Sequence, residues 1–343
     1  MPIHLIKMNR LLHRVKPFYR EDVYGFLKRV ARNNLLKGEQ ELLFEISQEN
    51  STTVRAIVIP HLAHYCLNSV EELAQLSGIE LSRSAGDRIW QINGEQITKS
   101  VFIATRNPKV CPQCLQTEAY IHGSWSLSLY ISCSYHLCNL LTHCHECRKP
   151  LKWTRKDIEF CNCGADLRRS PITNGSPNSI LLAQLIDHRY DERIQLSSRS
   201  LPNREIERLA TLSLDGLCKT FWFLGHCVAR LGNFGSGHGK KIPSHEEASQ
   251  MIDKAISLMQ SWPNQLGNHL NTLSNRKPSD STDSLINRLF GPAQYYLKNE
   301  IDTEELFYIR TAYEQHIRQI WKKFDSTVQP INSAKQLPLD SEW

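Results

Sequence analysis

Most of the chain's cysteines lie in one short segment, and their spacing is that of metal ligands. Eight of the eleven cysteines occur between residues 111 and 163. Four consecutive pairs of Cys or His positions are separated there by gaps of loop length: Cys111 and Cys114, Cys133 and His136, Cys144 and Cys147, and Cys161 and Cys163. Structural zinc sites take four tetrahedral sulfur or nitrogen ligands, commonly as such pairs. The segment therefore predicts two structural Zn²⁺ ions.

The first four positions predict a site of three cysteines and one histidine, and the last four an all-cysteine site. The spacing is Cys-x2-Cys-x18-Cys-x2-His over residues 111–136 and Cys-x2-Cys-x13-Cys-x-Cys over residues 144–163. Four protein ligands fill the coordination sphere of each ion, so such sites stabilise a fold and do not activate water. The fourth ligand of the first site stays open, because Cys138 could replace His136.

A disulfide framework is the alternative to zinc, and it requires an oxidising compartment. Residues 1–20 carry five Lys or Arg residues and no apolar run, so we expect no secretory signal peptide. No apolar run in the chain approaches the ~20 residues of a membrane span. We therefore favour zinc and expect a cytoplasmic protein.

The positive charge of the chain is concentrated at its amino terminus. Residues 1–40 hold nine Lys or Arg against three Asp or Glu, and this surplus equals the net charge of +6 of the whole chain. A basic face attracts phosphate groups, although a solvated helix surface explains the pattern equally well. The cations that we predict to contact nucleic acid or a partner are Arg10, Arg14, Lys16, Arg20, Lys28, Arg29 and Arg32.

The sequence on both sides of the cysteine segment has mainly helical periodicity. Apolar residues recur at helical spacing over residues 21–36. Three capping boxes, in which a Ser or Asp is followed three residues later by Glu, predict helix starts at Ser69, Ser244 and Asp302. Within the cysteine segment, Trp125, Leu127, Leu129 and Ile131 alternate with polar residues or tyrosine, which predicts a strand that packs between the metal sites.

Two short patterns lie before the cysteine segment. Residues 73–79 resemble the first half of a helix-turn-helix, but residues 82–85 lack the bulky apolar side chains of a recognition helix, so an ordinary helical hairpin is at least as well supported. Further on, Asn93-Gly94 between apolar arms predicts a β-hairpin.

These patterns predict a mainly α fold with small zinc-stabilised β elements. We expect a helical, helix-turn-helix-like region that ends in a short hairpin, a tandem zinc-binding module, a helical carboxy-terminal domain and a flexible tail. Their predicted bounds are residues 1–108, 109–169, 170–324 and 325–343. The boundary near residue 170 follows from a turn-rich linker of Ser, Pro, Asn and Gly.

No catalytic pattern accompanies the predicted metal sites. Zinc deaminases need His-x-Glu with Pro-Cys-x2-Cys, and zincin proteases need His-Glu-x2-His. The chain has neither set in a position to serve, and nothing suggests a nucleophile elbow or a two-metal carboxylate cluster. Together with closed metal sites, this favours a binding protein over an enzyme. A zinc-dependent hydrolase or deaminase is the less favoured alternative.

Three blocks of the chain resemble the TniQ family, whose longer members include TnsD. The first is Pro17-Phe18-Tyr19-Arg20-Glu21-Asp22 and the following residues to Ala31, although Val23-Tyr24-Gly25 departs from the family's Ser-Leu element. The second is the paired Cys/His module from residue 111 to residue 147, and the third is Trp262-Pro263-Asn264-Gln265-Leu266. Proteins of this family select targets for cut-and-paste transposons that have a separate transposase and AAA+ regulator.

The resemblance implies an adaptor that does not cut DNA but links a target to the AAA+ ATPase TnsC. Some members dock on an RNA-guided Cascade complex of a CRISPR system, and TnsD-like members read a fixed chromosomal site directly. We favour the Cascade-associated mode, with a TnsD-like sequence-specific selector as the alternative. The partners then expected are Cascade subunits with guide RNA, TnsC, target DNA and a second copy of the chain. The expected location is the bacterial cytoplasm, at the nucleoid. The sequence leaves open the CRISPR subtype, the target sequence and the oligomeric state.

Overall fold

Helices dominate the described part of the chain, and one three-stranded sheet accompanies them, so the predicted mainly α fold is confirmed. The computed structural model describes residues 10–47, 53–84, 87–104, 107–155, 157–196, 200–228, 242–274, 290, 293–301 and 303–327. The helices of the first half are α1 Val23–Asn33, α2 Glu39–Ser47, α3 Ile59–Cys66, α4 Val70–Ala74, α5 Pro112–Thr117 and α6 Pro177–Asp187. Those of the second half are α7 Asn203–Thr211, α8 Leu214–Trp222, α9 His245–Met259, α10 Asn264–Ser274, α11 293–300 and α12 Phe307–Thr327. The strands are β1 Ile79–Ser84, β2 Asp87–Ile92 and β3 Glu95–Ile97.

The chain divides into two compact units. The first comprises Met1–Leu196 and Lys240–Ser249, and the second comprises Ser197–Gly239 and Gln250–Trp343. The boundary near residue 170 stays a prediction, although α6, which follows it, lies in the first unit. Of the expected tail, residues 325–327 belong to α12 and residues 328–343 lie outside the described residues. Among the described helices, none has the length and apolar character needed to cross a membrane.

Helix α1 is the central helix of the first unit's apolar core. Its side chains Val23, Phe26, Leu27 and Val30 are fully buried, as the helical spacing predicts. The helix begins after Asp22, whose extended backbone and side chain form the N-cap: one carboxylate oxygen accepts from the backbone N–H groups of residues 24 and 25. The other oxygen accepts a hydrogen bond of 2.7 Å from the Ser126 hydroxyl, in the cysteine segment.

The predicted β-hairpin is confirmed. Strands β2 and β3 pair antiparallel, with Ile92 opposite Glu95, and β1 lies antiparallel on the other side of β2. The two connecting residues, Asn93 and Gly94, have φ angles of 50° and 85°. A two-residue hairpin turn of this kind needs positive φ at both positions, which Asn and Gly adopt at low cost.

The segment that resembles half of a helix-turn-helix is not followed by a second helix. Helix α4 begins with the predicted capping box of Ser69 and Glu72 and ends at Ala74. Gly78 then takes a φ of 84°, and β1 begins at Ile79. Residues 79–84 are therefore a strand in the sheet and not part of a recognition helix.

The predicted strand at Trp125–Ile131 is wrong, whereas its predicted place in a core is confirmed. Residues 123–126 form a 3₁₀ turn, and the following residues make only isolated bridges, such as Leu127 with Ile103. The intervening Ser126, Ser128 and Tyr130 are buried as well. Alternation of buried and exposed positions requires a sheet with one solvated face, and this segment is enclosed on all sides.

The second unit is helical throughout its described residues. Helix α8 continues into a π-helical turn over Phe223–Val228. The predicted capping box of Ser244 and Glu247 is confirmed at the start of α9, a helix whose residues up to Ser249 belong to the first unit. The capping box predicted at Asp302 falls on a residue outside those described, and its Glu305 caps a different helix: the carboxylate accepts from the Ser213 backbone N–H and hydroxyl, both at 2.7 Å, at the start of α8.

Substitution of Asp22 tests how the cap joins α1 to the cysteine segment. Because burial raises the pKa of Asp22 to about 6, the ionised carboxylate destabilises the folded state at pH 7.5. Asp22→Asn, which keeps a capping oxygen without the charge, is expected to unfold at an equal or higher urea concentration. Asp22→Ala is expected to lose about 2 kcal/mol or more, since it also leaves the Ser126 hydroxyl without its partner.

The matched control is Ser69→Ala, which removes an exposed cap and should cost about 1 kcal/mol. The pH dependence of the unfolding free energy is a second readout. The folded pKa lies above the unfolded one, so the stability contributed by this carboxyl is present below about pH 4 and is lost as the pH rises through about 6. The difference in unfolding free energy between wild type and Asp22→Asn should follow that curve. A pH-independent difference would contradict the assignment.

Candidate metal centres and their surroundings

The eight predicted ligand side chains lie in two groups of four, and within each group all ligand atoms are within 4.8 Å of one another. In the first group the Cys114 and Cys133 sulfurs are 3.6 Å apart. The Nδ1 atom of His136 lies 3.5, 3.2 and 3.6 Å from the sulfurs of Cys111, Cys114 and Cys133. Zn–S bonds of about 2.3 Å and Zn–N bonds of about 2.0 Å give tetrahedral edges of roughly 3.5–3.8 Å. The first group has this size.

The second group consists of Cys144, Cys147, Cys161 and Cys163. The Cys144–Cys163 and Cys147–Cys161 sulfur distances are 3.6 and 3.8 Å, which again match the edges of a ZnS₄ tetrahedron. Cys144 is buried, whereas Cys163 is exposed. This group therefore lies at the protein surface, and the first group lies inside.

Local backbone turns aim the ligands of each pair at a common point. Cys111 precedes the short helix α5, and its sulfur accepts from the Cys114 backbone N–H at 3.5 Å. The Cys133 sulfur accepts from the His136 N–H at 3.4 Å. Backbone N–H groups directed at sulfur favour the thiolate, which is the form that binds a metal.

Contacts distinguish His136 from Cys138 as the fourth member of the first group. His136 contacts all three sulfurs of the group, as given above. The Cys138 sulfur lies 3.5 Å from Cys111 but is not in the group of four. The Cys138 carbonyl instead accepts from the Cys133 N–H at 2.7 Å, which closes the turn that carries His136.

The donor set excludes several other kinds of site. Seven thiols and one imidazole do not suit Ca²⁺ or Mg²⁺, which take oxygen ligands. The contacting sulfurs are 3.5–3.8 Å apart, far beyond the ~2.05 Å of a disulfide, and all eleven cysteines are free thiols. Both groups are therefore fit to bind metal ions with four protein donors each.

A buried carboxylate, Asp187 at the end of α6, joins the first ligand group to the rest of the unit. It accepts hydrogen bonds from the hydroxyls of Ser124 at 2.7 Å, Ser134 at 2.6 Å and Tyr130. It also forms a salt bridge of 3.2 Å with Arg20. Ser134 lies between the ligands of the second pair, so this network fixes the loop that carries two of the four donors.

Three of the seven predicted contact cations are held inside the fold, which differs from the exposed basic face predicted from the sequence. Arg20, 8% exposed, pairs with Asp187 and donates to the Tyr135 hydroxyl at 3.0 Å. Lys28, 3% exposed, pairs with Glu39 at 2.8 Å and donates to a backbone carbonyl. The side chains of the third pair, Arg29 and Glu21, are 2.8 Å apart. The apolar period of helix α1 cannot reveal such partners, because Glu21, Glu39 and Asp187 all lie outside that helix.

The other four predicted cations are exposed. Arg14 pairs with Glu72 at 2.7 Å, Arg32 lies 3.0 Å from Glu159, and Arg10 contacts His64. Lys16 is exposed and forms no ion pair within the described residues. Exposed pairs of this kind contribute little to stability, and the carboxylates of Glu72 and Glu159 offset the charge of two of these four cations.

Sequence reasoning missed two buried ionisable groups. Nothing in the sequence marks Asp187 as a buried hydrogen-bond acceptor, since it is the last residue of an apolar helix. Lys109 is 6% exposed, and its ammonium donates to the carbonyls of Tyr130, at 2.7 Å, and Leu127. Burial lowers the pKa of Lys109 to about 7. A run of positive charge after Cys147 was visible in the sequence but was not used in the prediction: residues 148–156 contain five Lys or Arg and no acid.

Comparison with known families places the first ligand group in a defined domain. Residues 12–140 match the model of the TniQ family. This part of the chain is a TniQ domain. The resemblance stated from the sequence is thereby confirmed for this part of the chain. The match includes all four ligands of the first group and ends before Cys144, the first ligand of the second. No curated protein matches the chain.

Ligand substitutions are expected to remove metal ions one at a time. Cys114→Ser and His136→Ala should each lose the ion of the first group, and Cys147→Ser that of the second. Each loss should be strongly destabilising, because a structural site contributes ~10 kcal/mol or more of folding free energy. Metal content of the purified variants, measured by mass spectrometry, checks this. Cys138→Ser is the matched control and should keep two ions. Loss of an ion from that control would mean that Cys138, and not His136, is the fourth ligand of the first group.

The burial of Arg20 makes a separate prediction. Arg20→Ala leaves the Asp187 carboxylate buried without its cation and should cost about 3 kcal/mol in urea unfolding. Lys16→Ala removes an exposed cation four residues away and should change stability by less than about 0.5 kcal/mol. Equal effects of the two substitutions would mean that Arg20 is not a structural residue.

Proposed function

We propose that this protein is a transposition targeting adaptor that links an RNA-guided Cascade target complex to the AAA+ regulator TnsC. The TniQ domain over residues 12–140 is the observation that carries the proposal. The adaptor has no catalytic role of its own in this proposal. Both ligand groups offer four protein donors to a metal, which supports a structural use of the metal rather than activation of water.

The proposed ions are two Zn²⁺, held by the first and second ligand groups. Thiolate and imidazole donors at tetrahedral spacing are the set that zinc prefers in structural sites. In the segment from 111 to 163 the described helices are one of six residues and one 3₁₀ turn of four, so side-chain contacts have to hold it in shape. Zinc bound there supplies folding free energy to the loops that carry the ligands.

An exposed apolar surface of the first unit supports a role in protein docking. Leu12 and Leu35 are 74% and 93% exposed. The neighbouring residues His13 and Asn34 form two hydrogen bonds, at 2.8 and 2.9 Å, that hold the two leucines on adjacent segments. Apolar side chains exposed on two adjacent segments offer a contact to a protein partner. We assign this leucine pair, within the TniQ domain, to the contact with TnsC.

Pull-down with purified Cascade and TnsC tests the adaptor role. Wild-type protein should retain both partners, and Leu12→Asp with Leu35→Asp should weaken TnsC binding roughly tenfold or more while sparing Cascade, since hot-spot side chains cost ≥2 kcal/mol when lost. The control is Ile172→Asp, which alters an exposed apolar side chain in another part of the same unit. Failure of the folded, metal-loaded wild type to bind either partner would reject the proposal.

Two other functions are distinguishable from the adaptor. A TnsD-like selector would bind one DNA site far more tightly than random DNA, and the strand at residues 79–84 removes the recognition helix that such a reader would need in this segment. A zinc hydrolase or deaminase would keep a water ligand on one ion. X-ray absorption that shows a water ligand on either ion would favour that alternative.

A further inference from the structure

A group of exposed cations surrounds the second ligand group. It consists of Arg148, Lys149, Lys152 and Arg169, here named the knuckle patch. The first three follow directly after the ligand Cys147, and the fourth comes six residues after Cys163. The patch was not among the cations that the charge of the amino terminus predicted.

The ligand turn fixes the loop that carries the first three cations. The Arg148 N–H donates to the Cys144 carbonyl at 3.1 Å, and the Cys144 N–H donates to the Lys149 carbonyl at 3.0 Å. The Leu151 N–H donates to the Thr142 carbonyl at 2.8 Å, and Leu151 is buried between exposed neighbours. The backbone of the loop is therefore folded back on residues 142–144, and its cations project from a fixed backbone.

Arg169 reaches the same surface from another segment. The Ser170 hydroxyl is 2.8 Å from Nδ1 of His145, which precedes the ligand Cys147 by two residues. Arg169 is 87% exposed, and its closest carboxylate, Asp166 at 3.8 Å, is already bound by both ends of the Arg168 guanidinium at 2.9 Å. Arg169 therefore keeps most of its charge for other partners.

The knuckle patch has a surplus of positive charge, whereas five of the seven amino-terminal cations are paired with acids. Arg148, Lys149 and Lys152 form no ion pair within the described part of the chain. Glu146 is the exposed acid on the same turn, and it lies 3.4 Å from the His145 ring. By contrast, Arg14, Arg20, Lys28, Arg29 and Arg32 all have carboxylate partners.

The backbone at Arg148 strengthens the case that its charge has a use. Its φ is 58°, in the left-handed region where glycine fits best, and a side chain there costs on the order of 1 kcal/mol. The Arg148 side chain is exposed and forms no ion pair within the residues that the structure describes, so the turn itself does not use its charge. Its charge is therefore available to a partner outside the turn.

We propose that the knuckle patch binds the phosphate backbone of duplex DNA without reading its bases. Lys and Arg side chains on a rigid loop contact phosphates of any sequence. A single strand would need exposed aromatic rings for base stacking, and the tryptophan of this run, Trp153, packs instead on Tyr24 with ring centroids 5.2 Å apart. DNA binding by the patch requires neither Cascade nor TnsC.

Fluorescence anisotropy with a random-sequence 30-bp duplex, measured over a range of salt concentrations, tests the proposal on the full-length, metal-loaded protein. Each lost phosphate contact lowers the slope of log affinity against log salt by about 0.9. The triple variant Arg148→Gln, Lys149→Gln, Lys152→Gln should therefore reduce the slope by about two to three and weaken binding roughly tenfold or more at 0.1 M salt.

The control variant is Lys298→Gln, Arg318→Gln, Lys322→Gln, which removes three exposed cations of the second unit and the same net charge. It should bind the duplex like wild type. Metal content and urea unfolding of both variants show whether each is folded. Equal weakening in the control would overturn the proposal, as would no weakening in the patch variant or tighter binding to single-stranded than to duplex DNA.

Pull-down of the patch variant separates this proposal from the adaptor role. A folded patch variant that loses DNA but retains Cascade and TnsC supports the patch as a DNA contact. Wild-type protein that binds partners without patch-dependent DNA binding overturns the patch and leaves the adaptor role standing. Patch-dependent DNA binding without partner binding supports the patch and rejects the adaptor role.

Discussion

The buried carboxylate of Asp187 is the interaction on which the arrangement of the first unit depends. A carboxylate removed from water has to be matched by hydrogen-bond donors and a cation. Its donors come from three places: the segment before α1, the loop between the ligand pairs of the first group, and the turn that carries His136. None of these segments can move alone without leaving the charge unsatisfied.

A second buried carboxylate also joins helix α1 to the cysteine segment. Asp22 caps α1 and accepts from Ser126 of the cysteine segment. The helices and the ligand loops therefore share one core, although the sequence suggests two consecutive domains. The TniQ domain reflects this, since it extends from before α1 through all four ligands of the first group.

Features that depend on neighbouring residues were predictable from the sequence, and features that depend on distant ones were not. Ligand spacing, the Asn93-Gly94 turn and the Ser69 capping box are set by contacts within a few residues. The strand expected at Trp125–Ile131 failed because its polar residues are buried by other segments. The prediction of an exposed basic face was partly wrong because Arg20 and Lys28 are buried against acids of other segments. These acids lie 167 and 11 residues away in sequence.

The unequal burial of the two ligand groups has a kinetic consequence. Cys111 and Cys133 are fully enclosed, so an ion in the first group can exchange with solvent only when the surrounding loops open. Cys163 is exposed, so an ion in the second group is open to attack by a competing chelator from outside. The two ions would then leave in order, the outer one first. Partial metal depletion would thus loosen the outer knuckle and its cations while the TniQ domain stays folded.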